Sequence, residues 1–418
     1  MMLFARAGRR WTAIAAACLT LASSACGAST HRPARDVPGR AAGAASSTAP
    51  AALTWGGQWC TRPDVRCSEQ HGLPVMVLTR TDDPPARMLL VDVGGPGTAV
   101  ENAVEQVSEL GLWPRYDVLL VGEAWEVDPP SAQCLTRESG RLAHYRTLSG
   151  PACDPSRWAF DPAAYRDAVQ ATLTARHAAL SAAVGISFGA VRVAEATPAS
   201  VPLALITPAP PSGTFAGVAA ARAAAITTAA ARACGAAPAC TRALHALATP
   251  TLDDATYSTA LALIASAADP TTFTRVARSL AGGSLALGDG DRARLAYAAT
   301  FRYADGAVLG NLLSYRGGTC GRYGGGTRPA AGGLESTLAR VLDCPATPAA
   351  TPEVAVSGRH GCVFVSDQDL VTPRALTAPW TGAGSGLRLA AGRVSGHAHA
   401  DGSAATALAG MPGSLAAC

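Results

Sequence analysis

Residues 183–190 read Ala-Val-Gly-Ile-Ser-Phe-Gly-Ala, and no other stretch constrains the fold of this chain as tightly. A short apolar run leads into Gly185-Ile186-Ser187-Phe188-Gly189, and Ala- and Val-rich sequence that can be helical follows it. That is the order of strand, sharp turn and helix. Glycine two residues either side of Ser187 removes Cβ atoms where strand and helix converge, which leaves Oγ pointing outward. An ordinary turn in a chain rich in Gly, Ala and Ser can carry the same pattern, so partners elsewhere must decide its role.

The first 25 residues have the layout of an export signal. Arg6, Arg9 and Arg10 supply the positive end, Trp11 to Leu21 the apolar stretch, and Ala22-Ser23-Ser24-Ala25 the small residues before a cut. The apolar stretch is too short for a permanent membrane span. Gly8-Arg9-Arg10-Trp11 is also compatible with a twin-arginine signal, but the general export route needs nothing more than these residues. Cys26 follows directly, so the segment resembles a bacterial lipoprotein signal in which Cys26 carries lipid and anchors the chain to the membrane. Ser23 departs from the aliphatic residue expected there, and cleavage without lipidation is the competing reading.

Of the 12 cysteines, Cys18 leaves with the signal, and lipidation of Cys26 would leave an even set of ten. A free Cys26 would leave an odd thiol on an exported chain. Pairing neighbours in order predicts disulfides 60–67, 134–153, 234–240, 320–344 and 362–418. The spacings do not resemble a zinc site.

The composition is 49% hydrophobic and 15% charged, sufficient for a large core and unlike a disordered chain. Net charge is +4 and all 34 basic residues are arginine, scattered without a basic run, which argues against a nucleic-acid surface. Residues 26–50 contain Pro33, Pro38 and Pro50 among small polar residues and read as a flexible tether. Beyond it, Leu73–Leu78 and Arg87–Val93 read as strands, the second running into Gly94-Gly95-Pro96-Gly97. Helical material spans 99–112, and Tyr116–Gly122 is the next strand. Strands alternating with helices predict a parallel α/β sheet. The glycine turn does not meet Gly-x-Gly-x-x-Gly and so is not a dinucleotide fingerprint.

Taken together, Val93-Gly94-Gly95-Pro96-Gly97, Tyr116-Asp117-Val118 and Gly185-Ile186-Ser187-Phe188-Gly189 resemble the α/β-hydrolase superfamily. Within it the chain is most similar to exported actinobacterial prolyl- and tripeptidyl-aminopeptidases. Phe364 to Pro373 is similar to the group's strand ending in Asp-x-Val-Thr-Pro, and Val394-Ser395-Gly396-His397 to its late Gly-His. The resemblance covers residues 51–211 and 346–418. It implies an α/β-hydrolase fold, a mostly parallel central sheet with helices on both faces, and a triad in the order Ser187, Asp369, His397. His397 would be the base, Asp369 its orienting carboxylate, and the backbone N–H groups of Gly95 and Phe188 the oxyanion donors. No cofactor or metal is implied.

Each residue has a rival reading. Asp367 shares the face of Asp369 if the segment is a strand. His399 lies two residues from His397, and with Asp401 could form a solvated loop or a metal cluster, although no third histidine lies close in sequence. His177 and His245 sit in helical stretches and read as structural. After the Tyr116 strand the group's Asp-x-Arg-Gly is replaced by Gly122-Glu123-Ala124-Trp125-Glu126, and Thr207-Pro208-Ala209 lacks the usual Asp-Gly. Glu123 and Glu126 are the nearby acids that could hold a substrate's amino terminus.

Residues 212–345 show no strand alternation. Ala219–Ala233, Tyr257–Ala267 and 289–313 are helical in texture, predicting a mainly helical cap inserted between the two parts of the core. The expectation is an exported serine hydrolase that releases short N-terminal residues or peptides. The alternatives are an esterase of the same fold, or a non-catalytic lipoprotein that binds a ligand or partner.

Overall fold

The computed structural model describes residues 55–80, 87–95, 97–148, 158–283, 333–342 and 354–393. It also describes residues 285, 288, 292, 323, 396–397, 408, 410 and 413–416. The expected signal and tether, Cys26, Pro96, His399, Asp401 and most of the helical stretch 289–313 lie outside the described residues.

In chain order the elements are β1 (Val65–Gln70), β2 (Leu73–Leu78), β3 (Arg87–Asp92), α1 (Val100–Glu109), β4 (Val118–Val121), α2 (Ala124–Val127), α3 (Ala132–Leu142), α4 (Pro162–Ala175), β5 (Ala179–Ile186), α5 (Gly189–Ala196) and β6 (Leu203–Ile206). A helical stretch follows with α6 (Phe215–Cys234), α7 (Pro238–Ala246), α8 (Asp254–Ser266), α9 (Pro270–Ser279) and α10 (Gly333–Leu342). The chain then returns to the sheet with β7 (His360–Val365), α11 (Arg374–Thr377) and β8 (Gly386–Arg393). The eight strands form one sheet in the order β1-β2-β4-β3-β5-β6-β7-β8. β1 and β2 pair antiparallel, as do β2 and β4, and every other pairing is parallel.

The central strands are short apolar runs because both faces of the sheet are covered. Alternate residues feed two cores: Val75, Leu90, Leu119, Ala183, Leu205 and Val363 face one, whereas Met76, Val91, Leu120, Val184, Ile206 and Phe364 face the other. The first core takes Tyr165 and Val169 of α4 and Val191 and Ala194 of α5. The second takes Val100, Val104 and Val107 of α1. β1 escapes this pattern, being mostly part-buried at the sheet edge, which is why its sequence carries no strand signal.

The helices have ordinary start signals. Asp161, Thr214, Asp253 and Asp269 each accept a backbone N–H in the first turn of α4, α6, α8 and α9. Between β6 and β7 the described residues contain helices and no strand, as the sequence predicts. Cys60–Cys67 and Cys234–Cys240 are disulfides, two of the expected pairs. Cys134 and Cys362 are also disulfide-bonded.

Helix α5 lies close against β5 because Gly185 has no side chain: a Cβ there would stand 2.5 Å from Ala190 Cα. Gly185→Ala should therefore lower the urea midpoint by the equivalent of about 1–3 kcal/mol, the usual cost of overpacking. Gly140→Ala, at an exposed position of α3 with nothing within 4 Å, should raise it by the equivalent of about 0.5–1 kcal/mol. Equal shifts in the two variants would contradict the close approach.

Candidate active site

Ser187 follows the last residue of β5 and precedes α5. Its φ of 53° lies in the left-handed region, which costs a residue with a side chain about 1–3 kcal/mol. The conformation is held from the neighbouring strand: Ser187 N–H donates to the Ile206 carbonyl at 3.0 Å, and the Ser187 carbonyl accepts from Ala209 N–H at 2.9 Å. On the other side lies Gly94, where a Cβ would stand 2.3 Å from the Ile186 carbonyl oxygen and 3.1 Å from Ser187 Cβ. Gly189 similarly allows the turn to meet Asp92, whose carbonyl oxygen would be 2.3 Å from an added Cβ.

Asp369 and His397 come from the loops after β7 and β8, the next strands but one and but two from β5. His397 Nδ1 lies 2.9 Å from Asp369 Oδ2, and both residues are buried. The other carboxylate oxygen accepts the N–H groups of Val371 and Thr372, each at 2.8 Å. Thr372 Oγ1 lies 2.7 Å from Oδ2, 2.9 Å from the Thr207 carbonyl and 3.3 Å from His397 Nδ1. The threonine thus ties the Asp–His pair to the residue that follows β6. Burial alone would push the Asp369 carboxyl up, but the neighbouring His397 and the Thr372 hydroxyl and amide outweigh it and hold the carboxyl below its ordinary range. The histidine's backbone is fixed as well, His397 N–H donating to the Ala268 carbonyl at 3.0 Å.

The rival acid separates cleanly. Asp367 is 85% exposed at its side chain and pairs with Arg374 at 3.6 Å. Its shared face with Asp369 was an expectation for a strand, but β7 ends at Val365 and residues 366–369 form a turn, where alternation no longer applies. His177, two residues past the end of α4, and His245 on α7 are exposed, and among the described residues no cluster of three metal-ligating side chains occurs.

Ser187 Oγ makes no hydrogen bond with His397 in this structure; the two residues follow β5 and β8, strands separated by β6 and β7 in the same sheet. Among the described residues, neither Gly95 N–H nor Phe188 N–H donates a hydrogen bond within the protein. Phe188 follows the serine in the turn, and Gly95 follows Gly94, the residue of the loop after β3 that packs against Ser187.

Sequence reasoning missed a buried charge cluster beneath this turn. Arg192 of α5 donates to Glu123 Oε1 at 2.6 Å and to the Gly94 carbonyl at 2.9 Å, and its Nε lies 3.0 Å from Asp92 Oδ2. Asp92 also accepts from Gly94 N–H at 2.9 Å and from the Tyr165 hydroxyl at 2.9 Å. Burial works against the Arg192 charge, but Asp92 and Glu123 outweigh it and raise its pKa further. The available signal was a single arginine in the apolar run Ala190-Val191-Arg192-Val193. A cavity lined by Asp92, Gly94, Thr98, Glu123 and Arg192 borders the cluster, and Ser187 does not line it.

Glu123 and Glu126 therefore do not stand at the rim as acids for a substrate's amino group. Both are buried: Glu123 Oε2 accepts Gly97 N–H at 2.7 Å and the Trp125 indole N–H at 3.2 Å. Glu126 accepts the N–H groups of Glu123 at 2.9 Å and Val100 at 2.8 Å. The reason is local, because the two acids close a capping box on the short helix α2.

Burial pushes the Glu126 carboxyl from its ordinary 4.5 up to about 8, against the pull of the two amides. The unfolded chain thus gives up this proton before the folded chain does, so this group's contribution to stability falls as pH rises from about 4.5 to about 8 and levels off above that. Thermal midpoints measured across this window should decline less steeply in Glu126→Gln than in the parent; parallel slopes would show that Glu126 is already ionised in the folded protein.

No family model matches the chain, and no curated protein is similar to it at a significant level. What the site can do rests on its own geometry.

Proposed function

We propose that the chain is a serine hydrolase of the α/β-hydrolase type that works through an acyl-enzyme. One observation carries this reading: a serine held at φ 53° on a strand-to-helix turn, with a buried His397–Asp369 pair presented after β7 and β8 on the same edge of the sheet. Ser187 Oγ attacks the carbonyl carbon of an ester or amide while His397 Nε2 takes its proton. The carbonyl electron pair moves to oxygen, where the Gly95 and Phe188 N–H groups receive it. Collapse expels the alcohol or amine, which takes the proton from His397, and a water activated by the same imidazole releases the acid. Asp369 holds the Nδ1 proton in place and stabilises the imidazolium.

The substrate class that the resemblance suggests is a small peptide shortened from its N-terminus by an exported enzyme, tethered to the membrane if Cys26 carries lipid. A second reading, a short-chain esterase, is favoured by the inward engagement of Glu123 and Glu126, which takes away the two acids available for an ammonium group. In either case the helices between β6 and β7 would form the cap that selects substrates.

A serine-directed fluorophosphonate should label the exported protein, and Ser187→Ala should abolish labelling. On whichever substrate is cleaved in a panel of aminoacyl-, prolyl- and tripeptidyl-anilides beside p-nitrophenyl esters, Asp369→Asn and His397→Ala should each lower kcat by about 10³–10⁴-fold. Folded protein that is neither labelled nor active on any member of the panel would leave only the binding role.

A further inference from the structure

We propose that Arg192 is the positioning residue of the oxyanion site, setting the direction of the Gly95 N–H through the carbonyl on the other side of the same peptide bond. This rests on the reading of Ser187 as nucleophile. The Gly94 carbonyl and the Gly95 N–H belong to one planar trans peptide and point in opposite directions. Arg192 Nη2 holds that carbonyl at 2.9 Å, from below the turn and one helical turn after Phe188, the residue bearing the second donor. Holding the oxygen on the Arg192 side turns the Gly95 N–H the opposite way.

Gly94 and Gly95 have φ of 89° and 116°, values glycine adopts without a steric barrier, so rotation of their shared peptide is opposed by little except its hydrogen bonds. Among the described residues Arg192 is the one donor to the Gly94 carbonyl. The arginine is itself fixed at three points. Glu123 Oε1 accepts from Nη1, Asp92 Oδ2 forms an ion pair 3.0 Å from Nε without a hydrogen bond, and the guanidinium carbon stands 5.5 Å and 5.8 Å over the rings of Phe188 and Phe160. Its two acids hold the flanking amides: Asp92 takes Gly94 N–H and Glu123 takes Gly97 N–H. One guanidinium thus connects both ends of the loop and the carbonyl between them.

A buried cation that only balanced two carboxylates could be replaced by another cation. A lysine keeps the charge but presents a single point, and cannot hold Glu123, Asp92 and the Gly94 carbonyl in a fixed fork. Arg192→Lys in the full-length exported protein is therefore the test, with p-nitrophenyl acetate as substrate and an alkyl trifluoromethyl ketone as an inhibitor that forms a tetrahedral adduct with Ser187. Loss of one oxyanion donor lowers kcat by about 10²–10³-fold. Arg192→Lys should reduce kcat at least tenfold with KM unchanged, and should weaken the ketone by the same factor. A crystal structure of the variant should show the Gly94–Gly95 peptide rotated.

Unchanged kcat and ketone affinity in a folded Arg192→Lys protein would overturn the proposal while leaving the hydrolase reading intact. A rise in KM alone would equally overturn it. If wild-type protein neither hydrolyses the ester nor reacts with fluorophosphonate, the hydrolase reading fails and this role falls with it. Should Arg192→Lys not fold, Glu123→Gln carries the test, since it removes the charge that orients Nη1. It should lower kcat and ketone affinity together at unchanged KM, and parental values in that variant would sink the positioning role.

Discussion

The geometry of the site depends on one close contact, the meeting of the β5–α5 turn with the loop after β3. Gly94 and Gly189 let the two backbones come within distances at which any Cβ would collide with a carbonyl, and Gly185 lets α5 close on β5. The left-handed serine follows from this, because the turn has to reverse direction within two residues to carry α5 back along the sheet. Hydrogen bonds from Ile206 and Ala209 then hold the strained residue in place. Strain of this sort persists only where the surroundings over-determine it, and here the next strand and two apolar cores do so.

The parallel sheet does the remaining positioning. Strands β3, β5, β6, β7 and β8 lie side by side and point the same way, so the loops after them gather along one edge of the sheet. Residues far apart in the chain, at 94, 95, 187, 207, 369 and 397, lie along this edge for that reason. In an open α/β sheet this carboxyl edge is where ligands bind. Thr372 shows how local the coordination becomes: its hydroxyl stands between the acid, the imidazole and the carbonyl after β6.

Much of this was legible in the sequence because it is written in local chemistry. The runs at 73–78 and 87–92 are buried on both faces and read as strands for that reason, and the Asp369–His397 contact joins two motifs that were each visible alone. β1 was not legible, since an edge strand half open to solvent has no continuous apolar run. The charge cluster was not legible for a different reason. Asp92, Glu123 and Arg192 lie in three segments with no fixed spacing, and the turn holding Glu123 lacks the arginine that the resemblance leads one to expect. The structure supplies a cation to that turn from helix α5 instead. Such a buried ionic group is poor evidence of stability, because desolvation offsets much of the attraction, but it is effective at fixing geometry.

The helical insertion is joined to the sheet by more than its two ends. His397 donates its backbone N–H to Ala268, in the corner between α8 and α9, and Gly396 sits so close to Pro270 that a Cβ would stand 2.6 Å from its ring. The histidine is therefore seated on the inserted helices as much as on the strand that delivers it. A swing of that corner would carry the imidazole with it, so these helices cannot move as a detached unit without displacing His397.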